Sequence, residues 1–175
     1  TTGVTVTASA ITGINSDTGF QTTDIGRLIR WEDPAGNWTW YTITAHTSTT
    51  VVTVTITGPT ASAATGTVDW RLGVWSDTTG YPAAVTFHQN RLVFGGGVEF
   101  PQRIDMSRTG DFENFAPTEL DGTVVDDNGI TDTFSADVVN AIRWVADDEK
   151  GCVIGTVGGG WSNLPYDRGR GVTPH

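Results

Sequence analysis

The chain has 175 residues, with 10 Lys and Arg against 20 Asp and Glu, and a net charge of −10. That balance excludes a surface built to neutralise nucleic-acid phosphates or to sit on an anionic membrane, since both draw on clustered cations; it permits a channel through which DNA merely slides. The single cysteine, Cys152, excludes an intrachain disulfide and a cysteine-rich metal site, and no apolar run approaches the roughly 20 residues that cross a bilayer.

From the N-terminus, residues 1–67 hold 20 threonines, with Arg27 and Arg30 as their only cations. β-Branched residues fit a pleated sheet better than a helix. Val4 and Val6 alternate with Thr5 and Thr7, and Val52, Val54 and Ile56 with Thr53, Thr55 and Thr57. Trp38 to Ala45 alternates too, placing Trp38 and Trp40 on one face and Tyr41, Ile43 and Ala45 on the other. Asp33-Pro-Ala-Gly36 is a turn, with Pro setting φ and Gly supplying a positive one, and His46–Thr50 is a second, polar turn. Arg27–Trp31, Trp38–Ala45 and Val51–Thr57 therefore read as a three-stranded meander. With Val4–Ala8 added, residues 1–67 form a small Thr-rich β-sandwich or barrel.

Gly58–Gly66 is a linker, and Thr67–Val74 a short strand before the turn at Trp75–Pro82. Ala83–His88 and Arg91–Phe94 form a hairpin about Gln89-Asn90, stopped by Gly95–Gly97, and Arg103–Ser107 is the next strand. The pattern recurs: Ala141–Ala146, an acidic turn at Asp147–Lys150, Cys152–Val157, then Gly158–Gly160. Val85 matches Ile142, an offset of about 57 residues that suits propeller blades with an insertion. The fold class is thus all-β: an N-terminal sandwich or barrel, then partial propeller-like blades over 68–175. The abrupt ends, Thr1-Thr-Gly-Val4 and Gly171–His175, read as those of a fragment or processed product of a longer chain.

No catalytic constellation stands out. His46, His88 and His175 read as solvated or strand-surface residues without a paired nucleophile, and no Gly-x-Ser-x-Gly elbow occurs. Asp126-Asp127, Asp132, Asp137 and Asp147-Asp148 could serve a glycosidase only by converging across a bond; on loops they are ordinarily solvated turn formers. The Asp121–Asp132 loop is rich in oxygen ligands, but its spacing misses the EF-hand. Neither glycine triplet is followed by the Lys of a phosphate loop, so no cofactor is implied. Trp31, Trp38 and Trp40 cluster about one hairpin and could stack on sugar rings if exposed; such residues more often anchor cores or interfaces.

Gly80-Tyr-Pro-Ala-Ala-Val-Thr-Phe-His-Gln-Asn-Arg-Leu-Val-Phe-Gly-Gly96, with Asp105-Met-Ser-Arg-Thr-Gly-Asp-Phe-Glu-Asn-Phe115, resembles the tail tubular protein B, or tail nozzle, family of short-tailed bacteriophages. Ala141–Val145 and Val153–Trp161 resemble its next segment, so the likeness is best over 69–161; Asp24–Ile29 and Asp69–Gly73 are similar more loosely. The resemblance implies a virion structural protein of the tail, built from propeller and sandwich parts. It implies a ring of six subunits, with portal-adaptor and other tail proteins as partners and DNA only as passing cargo. It implies no enzyme and no membrane insertion by this segment. It also implies that Tyr81, Phe87, Leu92 and Phe94 pack a blade, that Gly95–Gly97 admit a close backbone, and that Arg108 and Asp111 pair or cap the turn at Thr109-Gly110.

Overall fold

The computed structural model describes residues 3–134, 140–148, 151–163 and 173–174, and no α-helix occurs among them. The strands are β1 (Val4–Thr7), β2 (Leu28–Glu32), β3 (Trp38–Ser48), β4 (Val51–Ile56), β5 (Trp70–Leu72), β6 (Ala84–His88) and β7 (Arg91–Gly95). They continue as β8 (Arg103–Met106), β9 (Ile130–Thr133), β10 (Ile142–Asp148), β11 (Gly151–Thr156), β12 (Gly159–Asn163) and β13 (Thr173–Pro174). The protein is all-β. It divides into two compact units: Thr1–Gly80 with Leu120–Thr123, and Tyr81–Glu119 with Val124–His175.

The first unit holds one antiparallel sheet in the order β1-β4-β3-β2-β5. The expected meander is its centre, with β1 added beside β4 and β5 beside β2. Alternation sends Ile29, Tyr41, Ile43, Val52 and Val54 to one face, where Ile14 and Phe20 from the β1–β2 connection complete the core. So the described residues form one open sheet covered by a folded loop, instead of the sandwich or closed barrel expected. Period-two patterning names the apolar face of a sheet but not what covers it. The unit also runs past the expected 67/68 boundary to Gly80, because β5 pairs with β2 and Thr78 bonds back to Asp24. The strand β3 continues to Ser48 through register shifts at Ile43/Ala45 and His46/Ser48. His46 therefore lies in a strand instead of a turn, and Ala45 is exposed.

The covering loop is held by Asp24, whose side chain is fully buried. It accepts bonds from Gln21 N–H (2.9 Å), Thr78 Oγ1 (2.8 Å), Asn15 Nδ2 (2.7 Å) and Arg27 Nη1 (2.9 Å). Burial pushes its carboxyl upward, but the Gln21 amide and then Thr78, Arg27 and Asn15 outweigh it and leave it below the ordinary range. A depressed folded pKa gives stability that is present above the unfolded value near 4 and lost as pH falls through the folded one. Asp24→Asn strands the buried guanidinium of Arg27 and should cost about 3 kcal/mol, read as a lower urea midpoint at pH 7. The difference from wild type should shrink as pH falls below about 4, where Asp24 of the unfolded chain takes up a proton while that of the folded chain stays ionised to lower pH.

In the second unit, β6-β7-β8-β9 and β10-β11-β12-β13 form two antiparallel meanders. The β6–β7 hairpin turns on Gln89 (φ 47°) and Asn90 (φ 59°), both in the left-handed region that suits the twist of a two-residue hairpin. Val93, Ile104 and Met106 of the first meander pack on Val145, Cys152 and Ile154 of the second, with Phe134 and Ile142 between. Gly95 makes this contact possible: a Cβ there would lie 2.9 Å from Val145 Cγ1 and 3.1 Å from Ile142 Cγ2. Gly96 (φ 67°) likewise passes Ile142 O, and Gly97 faces the Tyr81 carbonyl.

The two hairpins show how the meanders relate. Matching the closing pair His88↔Arg91 to Asp148↔Gly151 sets Gly95 on Gly155 and Val85 on Val145, not on Ile142 as the glycine triplets suggested. Under that match, the face of the first sheet that meets the second (Ala84, Val93, Gly95) corresponds to the outward face of the second, Trp144, Val153 and Gly155. The buried face of the second sheet (Val145, Cys152, Ile154) corresponds to Val85, Leu92 and Phe94 of the first. The sheets are stacked front to back.

Candidate functional site

The three tryptophans do not form one platform. The register Trp31↔Thr39 puts Trp31 on the core side, stacked on Tyr41 with centroids 3.9 Å apart and planes at 7°. Trp38 and Trp40 lie on the opposite face, both half-buried. The Trp40 ring lies flat against Gly58, where a Cβ would have no room. The Trp38 indole approaches Gly122, and its backbone N–H donates to Leu120 O at 2.7 Å.

Two arginines share that face, and sequence reasoning missed them. Arg30 pairs across strands with both Trp40 and Arg71, and its guanidinium sits 4.4 Å from the Trp38 ring centroid. Burial and then the neighbouring Arg71 charge hold Arg30 below its ordinary pKa. The signal was present: residues 1–80 contain three arginines and no lysine. Arg27 is bridged to Asp24, while Arg30 and Arg71 have no acidic partner among the described residues.

Several titratable groups outside this face are engaged locally. His46 Nε2 is 3.0 Å from Phe20 O, and His88 Nδ1 bonds Asp147 Oδ1 across the two meanders. Among the described residues no hydroxyl or thiol is bonded to His88. Asp132 accepts from Thr133 N–H, and Arg103 clasps Asp105 at 2.7–2.9 Å. His175 and Asp137 lie outside the described residues. The buried Cys152 thiol is pushed up to about 11, by burial first and by the Asp147 charge second. Native Cys152 should therefore react with iodoacetamide at pH 8 at least ~100-fold more slowly than in urea, as follows from two pKa units alone; equal rates would contradict this packing.

The oxygen-rich Asp121–Asp132 loop is organised by a cation of the chain itself. Buried Arg91 donates from Nη1 to Ser107 O (2.6 Å) and Asn128 O (2.7 Å), and from Nη2 to Asp126 O (2.7 Å). Asn128 in turn accepts from Val125 N–H and donates to Glu119, both at 2.7 Å. Arg108 bonds Glu119 at 2.6 Å; its side chain does not reach Asp111, although the two residues close the expected turn through their backbones. No group of three metal-ligating side chains occurs among the described residues. Arg91→Met leaves three carbonyls without a donor and should cost about 3 kcal/mol, with proteolytic nicking appearing first between Asp121 and Asn128; calcium should not restore the lost stability.

The residues expected to pack a blade separate. Phe94 stacks on Phe115 (5.2 Å, 14°), whereas Tyr81 and Phe87 are 58% and 57% exposed. Phe87 meets Phe112 edge-on at 5.1 Å, and Val85 beside it is 58% exposed. These side chains belong to the outward face of the first meander, which nothing in residues 84–134 fully covers. No protein-family model matches the chain, and no curated protein matches it.

Proposed function

We propose that the chain is a structural segment of the tail nozzle of a short-tailed phage, working by the packing of β-sheets and subunits and not by catalysis. The observation that carries this reading is where the family-like residues fall. The run Gly80–Gly96 builds β6, β7 and the close approach at Gly95, and Asp105–Phe115 supplies Ser107, Phe112 and Phe115 to the same sheet. Ala141–Val145 and Val153–Trp161 build the sheet stacked upon it. Residues that resemble the nozzle family thus do packing work, and front-to-back stacking of four-stranded meanders is what propeller blades do. In this reading the chain belongs to the virion tail, in a ring of its own copies beside portal-adaptor proteins, with DNA passing through.

A second reading, a carbohydrate- or host-receptor-binding module of the tail, rests on the Trp38–Trp40 face with its two arginines. Location separates the two functions from other β modules. Antibodies against the recombinant chain should label the tail stub of particles of the phage that encodes it, seen by immunogold electron microscopy. Absence of the chain from purified particles would overturn the proposal.

The open face makes a second measurable demand. Val85, Phe87 and Phe112 form an exposed apolar patch of the kind that marks interaction surfaces. The isolated chain should self-associate with rising concentration in sedimentation velocity, and Val85→Asp with Phe87→Asp should return it to the monomer. A wild-type chain monomeric at all concentrations would remove packing of this face from the account.

A further inference from the structure

We propose that the outer face of the first unit's sheet binds a carboxylate-bearing sugar ring, with the carboxylate between Arg30 and Arg71 and the ring laid against Trp40. The site gives the second reading above its ligand class and rests on that reading; it does not depend on the nozzle reading.

Three features of one face point to an anion. Arg30 and Arg71 are direct cross-strand partners, and like charges placed so oppose pairing. The first 80 residues carry six Asp and Glu, yet none is within ion-pair distance of either arginine among the described residues. Glu32, on the same strand face, reaches instead toward Gly36 in the Asp33–Gly36 turn, 3.7 Å from where its Cβ would be. Arg30 is also half-buried and held below its ordinary pKa, so it is partly desolvated and has no acidic partner among the described residues. A guanidinium in that position is stabilised by a carboxylate that meets it and Arg71 together, because planar guanidinium forks match carboxylate oxygens.

The ring component comes from the same row. Register places the backbone positions of Arg71, Arg30 and Trp40 side by side on β5, β2 and β3, a row of about two strand spacings, roughly 10 Å. That is the reach of one sugar residue with its carboxylate. Trp40 is backed by Gly58, while Arg30 leans on Trp38. Hydroxyls border the row: Thr42 Oγ1 and Thr57 Oγ1 lie 2.7 Å apart next to Trp40. A stacking ring, two neighbouring cations and flanking hydroxyls recognise an acidic sugar better than a neutral one. The alternative anion, single-stranded nucleic acid, needs a run of cations along its backbone. Here there are two, on a chain of net charge −10.

The test titrates the whole chain with methyl β-glucuronide, methyl β-glucoside, inorganic phosphate and a thymidine hexanucleotide, following the indole N–H signals of Trp38 and Trp40 in ¹H–¹⁵N spectra. The glucuronide should shift them and bind about tenfold tighter than the glucoside, the factor expected for one charge-assisted contact. Arg71→Gln, at an exposed position, should abolish that preference while leaving the spectrum folded, and its ligand-free form should melt higher than wild type because the repulsion is gone. Phe87→Asp, on the other unit, should leave the preference unchanged. Equal binding of glucoside, phosphate or oligonucleotide would overturn the assignment, as would an Arg71→Gln variant that binds like wild type. None of these outcomes bears on whether the chain resides in a phage tail.

Discussion

Where β7 passes β10, one of the two strands has no side chain. At Gly95 even a methyl group would press on Val145 and Ile142, and at Gly96 on the Ile142 backbone. That absence lets two four-stranded sheets share one apolar core instead of standing a full side-chain layer apart. The burial of Cys152 and Ile154, both fully inaccessible, follows from it. So does the bond from His88 to Asp147, which joins the turn ends of the two hairpins. The stacking direction follows as well, since the small face of the first sheet is the one that can accept the aliphatic face of the second.

Polar groups do the corresponding work around these cores. In the first unit Asp24 ties residues 15, 21, 27 and 78 to one carboxylate, which turns a loop into the cover of a sheet. In the second, Arg91 gathers the carbonyls of residues 107, 126 and 128. Asp24 is half of a buried ion pair with Arg27, Arg91 is a buried cation met by backbone carbonyls, and each is saturated by several partners. That arrangement makes removal costly while adding little net attraction, so their contribution is to conformation: each selects one path for a long connection among many of similar burial.

Much of this was legible in the sequence. Alternating Val and Thr gave β1 and β4, Asp33–Gly36 gave the first hairpin, and Gln89-Asn90 the second, because period two and turn residues act locally. What was hidden depended on register. Trp31, Trp38 and Trp40 look like one cluster along the chain, but the pairing Trp31↔Thr39 reverses the face of Trp31, and a slip of one residue would restore it. Arg30 and Arg71 are 41 positions apart, and only the β2–β5 pairing makes them neighbours. The strand β9, Ile130–Thr133, is four residues of mixed character whose place is set by β8 rather than by its own propensity. Phe87 belongs to the apolar phase of its strand, and only the stacking direction decides that this phase faces outward.

The two uncovered surfaces differ in what their chemistry can tolerate. The outward face of the first meander is apolar at β6 and β7, but at β8 it carries the Arg103–Asp105 pair with Thr131. An apolar half beside a satisfied polar half admits a partner sheet in one lateral position, since sliding would bury the ion pair against hydrocarbon. In the proposed ring the net charge of −10 would work in the same direction, holding copies apart until the apolar halves are aligned. An exposed strand edge and patch on a neutral protein would aggregate; on this one, like charge opposes indiscriminate contact through Val85 and Phe87.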